Sequence, residues 1–473
     1  MLFLYQKGAC SSKRRKPAGT GTPFYWVRLL GAGAIGASAL SLTGQAQEAP
    51  EGAQRITLDV RTGLEWSDNP DLVVDGDSRV VSRTRLDFAL ERRTDIDRLT
   101  FGAAGDVVLG EDTDDVIENP ELRLRWDRDV GRSRLGAGLT LESVELDSTS
   151  FSDGVSADSV DFSTFDGGTR RLTGIDVDGA WGVDAPFGGS YSLSHDRITY
   201  SGTDDPTLLD ADSVDFRFAL TGALDRTTTL GLIGSFTEFD EDGAGELDTR
   251  SVRLGGELRS EITQTLSGRL ALGWQEAEES GADTARSEGV FVDGDLTWAL
   301  PNGTAGIVWD SPIEVDRRRT TVRFQRSLEM PRGDFGYSIG ASRASGLGTR
   351  PLFGLNWEYE MPRARFIADL SQTPATTRDN VQTINSVLSL NFNQQLTTRG
   401  NLDVLFTVRD GDEDGEGAVD NRRLGLDVTY RHDLAQDWDL VGQFSAVRVS
   451  EDDAQDRSSN TIFIGLEKRF GWN

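Results

Sequence analysis

Cysteine is all but absent. Cys10 is the only one in 473 residues, so no intrachain disulfide and no thiolate metal centre can be assembled. Histidine is nearly as scarce. With His195 and His432 the only imidazoles, an acid–base or nucleophile-activating site has little to be built from. No Walker-type phosphate loop and no HExxH occurs, and the chain reads as non-enzymatic. Basic residues are in deficit, 49 against 78 acidic, which excludes nucleic acid as a partner because phosphate binding needs the opposite sign. Prolines number only 13 and nowhere gather into a linker, so nothing divides the chain into separate soluble domains.

Long apolar runs are also missing, with one exception. Lys13, Arg14, Arg15, Lys16 and Arg28 precede a run rich in Gly and Ala from Leu29 to Leu42, followed by Gly44-Gln45-Ala46. This is the pattern of a secretory signal peptide cut after Ala46, giving a removed segment 1–46, a short segment 47–53 and one domain over 54–473. Loss of six basic residues and no acidic ones leaves 43 basic against 78 acidic, a formal charge near −35. No later apolar run is long enough to cross a bilayer as a helix, so a closed barrel of strands is the remaining way across.

What the chain does contain is alternation. Ile56, Leu58, Val60, Leu64 and Trp66 fall on one parity, and Thr57, Asp59, Arg61, Gly63 and Glu65 on the other, as expected of a strand with two unlike faces. Strand-like segments of this kind recur to the end of the chain. Their number predicts an all-β, single transmembrane antiparallel up-and-down barrel of about 22 strands, within a range of 18–22. Connections alternate between long and acidic (EDTDD at 111–115, RDGDEDGEGAVD at 409–420) and short (LDRT, PNG, MPR), which is the outer-membrane rhythm of long external loops and tight periplasmic turns. The segments 304–311 and 364–373 are shorter than the rest. In 188–200 the apolar parity changes between Leu193 and Ile198, which predicts a bulge.

Tryptophans fall near strand ends. Trp126, Trp181, Trp298, Trp357, Trp438 and Trp472 lie beside short turns, and Trp66, Trp274 and Trp309 beside long loops. Two girdles at the membrane interfaces follow. The final stretch from Ser459 to Asn473 alternates Ile462, Ile464, Leu466, Phe470 and Trp472 against Phe463, Gly465, Glu467, Arg469 and Gly471. This aromatic-ended strand resembles the closing strand of bacterial outer-membrane barrels, in which the assembly machinery recognises such an end; Phe470 and Trp472 are the residues concerned. The whole pattern resembles porin-type barrels and, more loosely, the barrel porins found near exopolysaccharide export systems. Segment 47–54 is too short for the N-terminal plug of TonB-dependent receptors, so no plug is expected.

Those resemblances imply a barrel in the outer membrane of a Gram-negative bacterium, partnered by lipid and lipopolysaccharide, that passes small hydrophilic solutes or saccharides through a polar pore. The alternative is a non-conducting barrel acting as a structural or assembly partner of polysaccharide-export components. The longest loop, 147–168, is expected to fold inward as a constriction, setting Asp147, Asp153, Asp158, Asp161 and Asp166 against the wall residues Arg61, Arg83, Arg85, Arg123 and Arg125. No cofactor is expected, although the acidic loops are suited to sharing divalent cations, and Asp410, Asp412 and Asp414 match the opening of a calcium loop whose twelfth position is Asn421 instead of Glu.

Overall fold

The computed structural model describes residues 54–472 except 75, 111–116, 146–167, 204–207, 243–247, 281–283, 316, 377–381, 414–420, 436 and 452–454. The alternation becomes strands β1 (Gln54–Ser67), β2 (Arg79–Arg93), β3 (Asp97–Gly110), β4 (Ile117–Val130), β5 (Ser133–Glu145), β6 (Thr169–Trp181), β7 (Phe187–Ser201), β8 (Asp210–Ala223), β9 (Thr228–Asp242), β10 (Asp248–Glu261), β11 (Leu266–Ser280) and β12 (Ala285–Leu300). They continue as β13 (Gly303–Asp310), β14 (Ile313–Glu314), β15 (Arg317–Met330), β16 (Gly333–Ala344), β17 (Thr349–Met361), β18 (Ala364–Thr376), β19 (Gln382–Gln395), β20 (Gly400–Glu413), β21 (Asn421–Ala435), β22 (Trp438–Glu451) and β23 (Arg457–Trp472). Strand β14 has two residues and lies inside the wall; the other 22 pair antiparallel with their neighbours, and β1 pairs with β23 from Ile56 opposite Trp472 to Ser67 opposite Thr461. The aromatic-ended terminal strand therefore closes the ring of strands.

Residues directly opposite one another share a face, so register carries parity around the ring. Leu58 stands opposite Phe88 and Phe470, and Leu64 opposite Ile464. This parity faces out. Leu64 is 64% and Ile464 62% exposed, a surface that water would not tolerate over so many strands and that hydrocarbon selects. The other parity faces in, and the most deeply buried side chains, Phe291, Leu352, Val108, Val441, Asp106, Ser342 and Ser459, all stand on it. All nine tryptophans between 66 and 472 point outward. Trp66 and the pair Ile56–Trp472 are separated by ten residues along β1, about 25 Å of membrane height for a strand tilted about 40°. Trp309 departs from the two-girdle expectation: β13 stops early and sets it opposite Gly294, midway between Trp298 and the level of Val290 and Trp274.

The bulge expected in 188–200 is not there. β7 keeps continuous register with both neighbours, placing Leu193 outward and Ile198 inward opposite Leu172. Its outward positions simply turn polar at His195 and Arg197 as the strand rises towards the external rim. A real bulge sits between β3 and β4, where Asn119 and Pro120 oppose Gly105 alone. Asn119 takes a φ of 49° and Pro120 has no N–H to donate, which suits the pair to an extra residue. The bulge turns Glu118 inward, where regular alternation from Glu121 would have pointed it at lipid.

Two ladders are cut short. β12 pairs with β13 only from Gly294 to Leu300, and β17 with β18 only from Leu355 to Met361, while β1 pairs with β2 from Gln54 to Ser67. Above mid-height, side chains do the stitching. The Arg318 guanidinium donates to the Val290 carbonyl at 2.7 Å. Across the second seam the Phe353 N–H donates to the Gln372 amide oxygen at 2.7 Å, and Arg323 donates to the Gln372 carbonyl at 3.0 Å. Prolines explain the gaps: Pro312 ends β13, while Pro351 and Pro374 lie two residues from Phe353 and Gln372, on the same side of their strands, and present no N–H to the seam.

Candidate functional site

The inward face of the external half of the barrel is where a solute arriving from outside first meets the protein. On the β1–β5 wall this face is a compensated ion-pair network. Arg83 donates from Nε and Nη2 to the two oxygens of Glu65, each at 3.0 Å, and from Nη1 to Glu118 at 2.9 Å. Buried Asp106 lies 3.4 Å from Arg83 and 3.6 Å from Arg85. The network exists because the bulge brings Glu118 round to the arginine. Arg61 bonds Glu467 at 3.1 Å, Arg123 pairs with Glu121, and Arg125 bonds Asp127, Asp176 and Asp178. All five arginines expected on the wall are therefore inward and held by wall carboxylates. The five aspartates of 147–168 expected to oppose them lie outside the described residues.

Among the described residues, two external segments fold inward. After β1 the chain turns at Asn69, whose side-chain amide donates to Val73 and Ser458 carbonyls at 2.7 and 3.0 Å. This puts Leu72 against Val447 and Val449 on the inner wall. After β13 the chain crosses the inner face of β11 and β12, where the Gln275 amide receives the Ile313 N–H at 3.2 Å and donates to its carbonyl at 2.9 Å. Ile313 is 6% exposed. Burying it contributes roughly 2 kcal/mol and the two hydrogen bonds about 1 kcal/mol each, enough to hold a short strap and little enough to release it. Sequence reasoning pointed elsewhere, to the longest loop. The signal it passed over was apolar residues in otherwise polar loops, Leu72-Val73-Val74 and Pro312-Ile313.

Neither histidine faces the lumen. His195 is outward, 3.3 Å from Asp212, and His432 is outward with Nδ1 3.1 Å from the Tyr430 hydroxyl. A Gly-x-Ser-x-Gly run, 336–340, lies inside extended β16 with Ser338 opposite Gly354, without the sharp turn that exposes a nucleophile. Asp410 and Asp412 belong to β20, and Asp410 accepts from Arg422 at 2.8 Å; Asp414 lies outside the described residues.

No family model matches the chain, and no curated protein matches it in sequence. Solved structures do match in shape. The FrpB iron transporter from Neisseria meningitidis has a TM-score of 0.57 at 7% identity, covering 89% of this chain and 83% of that one. The ferric-catecholate import receptor from E. coli K12 gives 0.56 at 10% identity, covering 89% and 82%. The alcaligin outer-membrane receptor from Bordetella pertussis gives 0.53 at 11% identity, covering 89% and 77%. At such identities the likeness is one of fold, and none of the three is an enzyme. It overturns the expected passive pore for diffusion or export and its alternative, the assembly partner. The pore reading rested on 47–54 being too short for a plug, and residues 47–53 lie outside the described residues, whereas the matched barrels are named as an outer-membrane receptor, an import receptor and an iron transporter. The porin resemblance goes with them. What remains is that the chain is a 22-stranded closed antiparallel barrel of the outer membrane of a Gram-negative bacterium.

Proposed function

We propose that the chain is the barrel of an outer-membrane import receptor, which binds a solute in the external half of its lumen and admits it through a controlled rearrangement. The observation that carries this reading is the strap at Ile313. It ties the panel of β13, β15, β16 and β17 to the inner face of β11 through a single glutamine, and the same panel is bounded on both sides by half-length ladders. A rigid diffusion pore has no use for such a panel; a receptor that must switch between closed and admitting states needs a bistable element a few kcal/mol deep. Chelated iron is the first solute class to try, because the matched receptors are named for ferric-catecholate import and alcaligin.

Uptake of radiolabelled ferric enterobactin, followed in a receptor-deficient strain expressing the chain, tests the reading. Expected is saturable accumulation that an uncoupler abolishes and that Gln275→Ala alters. Accumulation linear in external concentration and indifferent to the uncoupler would return the protein to passive diffusion and sink the proposal.

A further inference from the structure

The inward charges of the external half are not spread evenly. On the β1–β5 wall, Arg61, Arg83, Arg85, Arg123 and Arg125 face Glu65, Asp87, Asp106, Glu118, Glu121, Asp127 and Glu142, leaving acids in excess. From β15 to β21 the balance reverses. Arg317, Arg319 and Arg323 on β15, Arg350 on β17, Arg409 on β20 and Arg423 on β21 all stand on the inward parity. The described inward carboxylates from mid-height upward across this arc and adjoining β13 and β14 are Asp310, Glu314, Asp369 and Asp427. The centres of the two regions, β3 and β18, lie eight strand positions apart around the ring. In a chain with 78 acidic and 49 basic residues, an inward surface richer in arginine than in acid is against the composition.

From this placement we infer that the β15–β21 arc is a binding surface for a small polyanion, a solute carrying several carboxylate, phosphate or sulfonate groups, and that the acidic β1–β5 wall orients it. Guanidinium suits the task. It is always charged, has five donors in a planar fork, and so can keep a contact within the wall while offering the remaining donors to a planar or tetrahedral anion. Arg319 is the buried end of the arc, 3% exposed: its Nε and Nη2 donate to the two oxygens of Glu314 and its backbone N–H to the Pro312 carbonyl at 3.2 Å, which fixes it beside the strap. Walls of low dielectric concentrate the field of such an arc into the lumen. An anion must still pass the acidic external loops, so its association slows at low salt, where repulsion reaches furthest, while its bound state weakens at high salt.

This inference rests on the receptor reading for its location, but its test does not. The purified full-length barrel in detergent is titrated into pyranine, a trisulfonated pyrene, and fluorescence anisotropy is read, with rhodamine 6G as a cationic probe of similar size. Heat-modifiable gel migration confirms folding of every variant. Expected is saturable pyranine binding, competed by citrate, that weakens at least tenfold in Arg350→Gln/Arg409→Gln and keeps wild-type affinity in Arg123→Gln on the other wall. No pyranine binding by folded wild type, equal binding of the cation, or equal loss in Arg123→Gln would overturn it. Should uptake prove passive, the receptor reading fails alone: reversal potentials in planar bilayers under a salt gradient still separate an anion-preferring lumen from an indifferent one.

Discussion

The join between β1 and β23 and the panel between β12 and β18 solve the same problem differently. At the join, an uninterrupted ladder meets the demand that every backbone group in hydrocarbon find a partner. There Gly63 faces Gly465, a Cβ on either would come within 2.4 Å of a backbone oxygen across the strand, and the Phe463 ring covers the pair. At the panel, prolines remove the donors a ladder needs, and the demand falls to Gln372, Arg323 and Arg318. Backbone ladders form or fail as a unit, whereas side-chain stitches can be exchanged one at a time. The barrel is thus held by backbone at the join and, along the upper part of the panel's two seams, by side chains.

The difference is open to attack. Gly465→Val strikes the join, forcing backbone apart where no rotamer can give; a loss of about 3 kcal/mol is expected, seen as loss of the heat-modifiable folded band, and a normally folded variant would show the join to be slack. Gln372→Ala strikes the stitch. It leaves the Phe353 N–H without its acceptor in an apolar setting and should lower stability by about 1–3 kcal/mol in urea unfolding from lipid vesicles, against about 0.5 kcal/mol or less for Asn391→Ala on the continuous wall of β19. Equal effects of the two would erase the distinction. Hydrogen exchange sharpens it without mutation: amides of 286–292 and 371–373 should exchange about tenfold faster than those of 57–66.

The smallest effect concerns the turns, which both regions share. Between β8 and β9 the Asp225 carboxylate receives the Thr227 N–H at 2.7 Å, the Thr227 hydroxyl at 2.9 Å and the Thr228 N–H at 2.8 Å. These bonds favour the charged form and hold its pKa below the usual carboxylate range. The turn's contribution is therefore complete above the ordinary aspartate pKa and is lost as pH falls through the depressed one. Amide chemical shifts of Thr227 and Thr228 should titrate with a midpoint below that of an unbonded aspartate, and Asp225→Asn should remove the titration.

Much of the wall was legible in the residues. Alternation of Ile56, Leu58 and Val60 with Thr57, Asp59 and Arg61 shows which side meets lipid, and the count of such segments puts the strand number at about 22 within 18–22. The short segment 304–311 marked one seam; 364–373 instead extends to Thr376 as a full-length strand, and its ladder to β17 is cut short for a reason its length does not show. The bulge was sought at Leu193–Ile198 and lies at Asn119-Pro120, because a polar rim and a register shift break apolar parity alike. The insertion expected of 147–168 falls on residues outside those described; among the described residues, Leu72 and Ile313 dock because each is an apolar residue with a buried place to go.

The sequence alone determined the face of most strand positions, since parity follows from the two-residue period of an extended backbone and fails only where register does, as at Asn119-Pro120. Only the tertiary structure decided how far each ladder runs, which loops turn inward and where the inward arginines gather. Those depend on which strands lie side by side around the ring, and a hydrogen-bond partner from β18 or an amide from β11 leaves no mark near Phe353 or Ile313 in the chain.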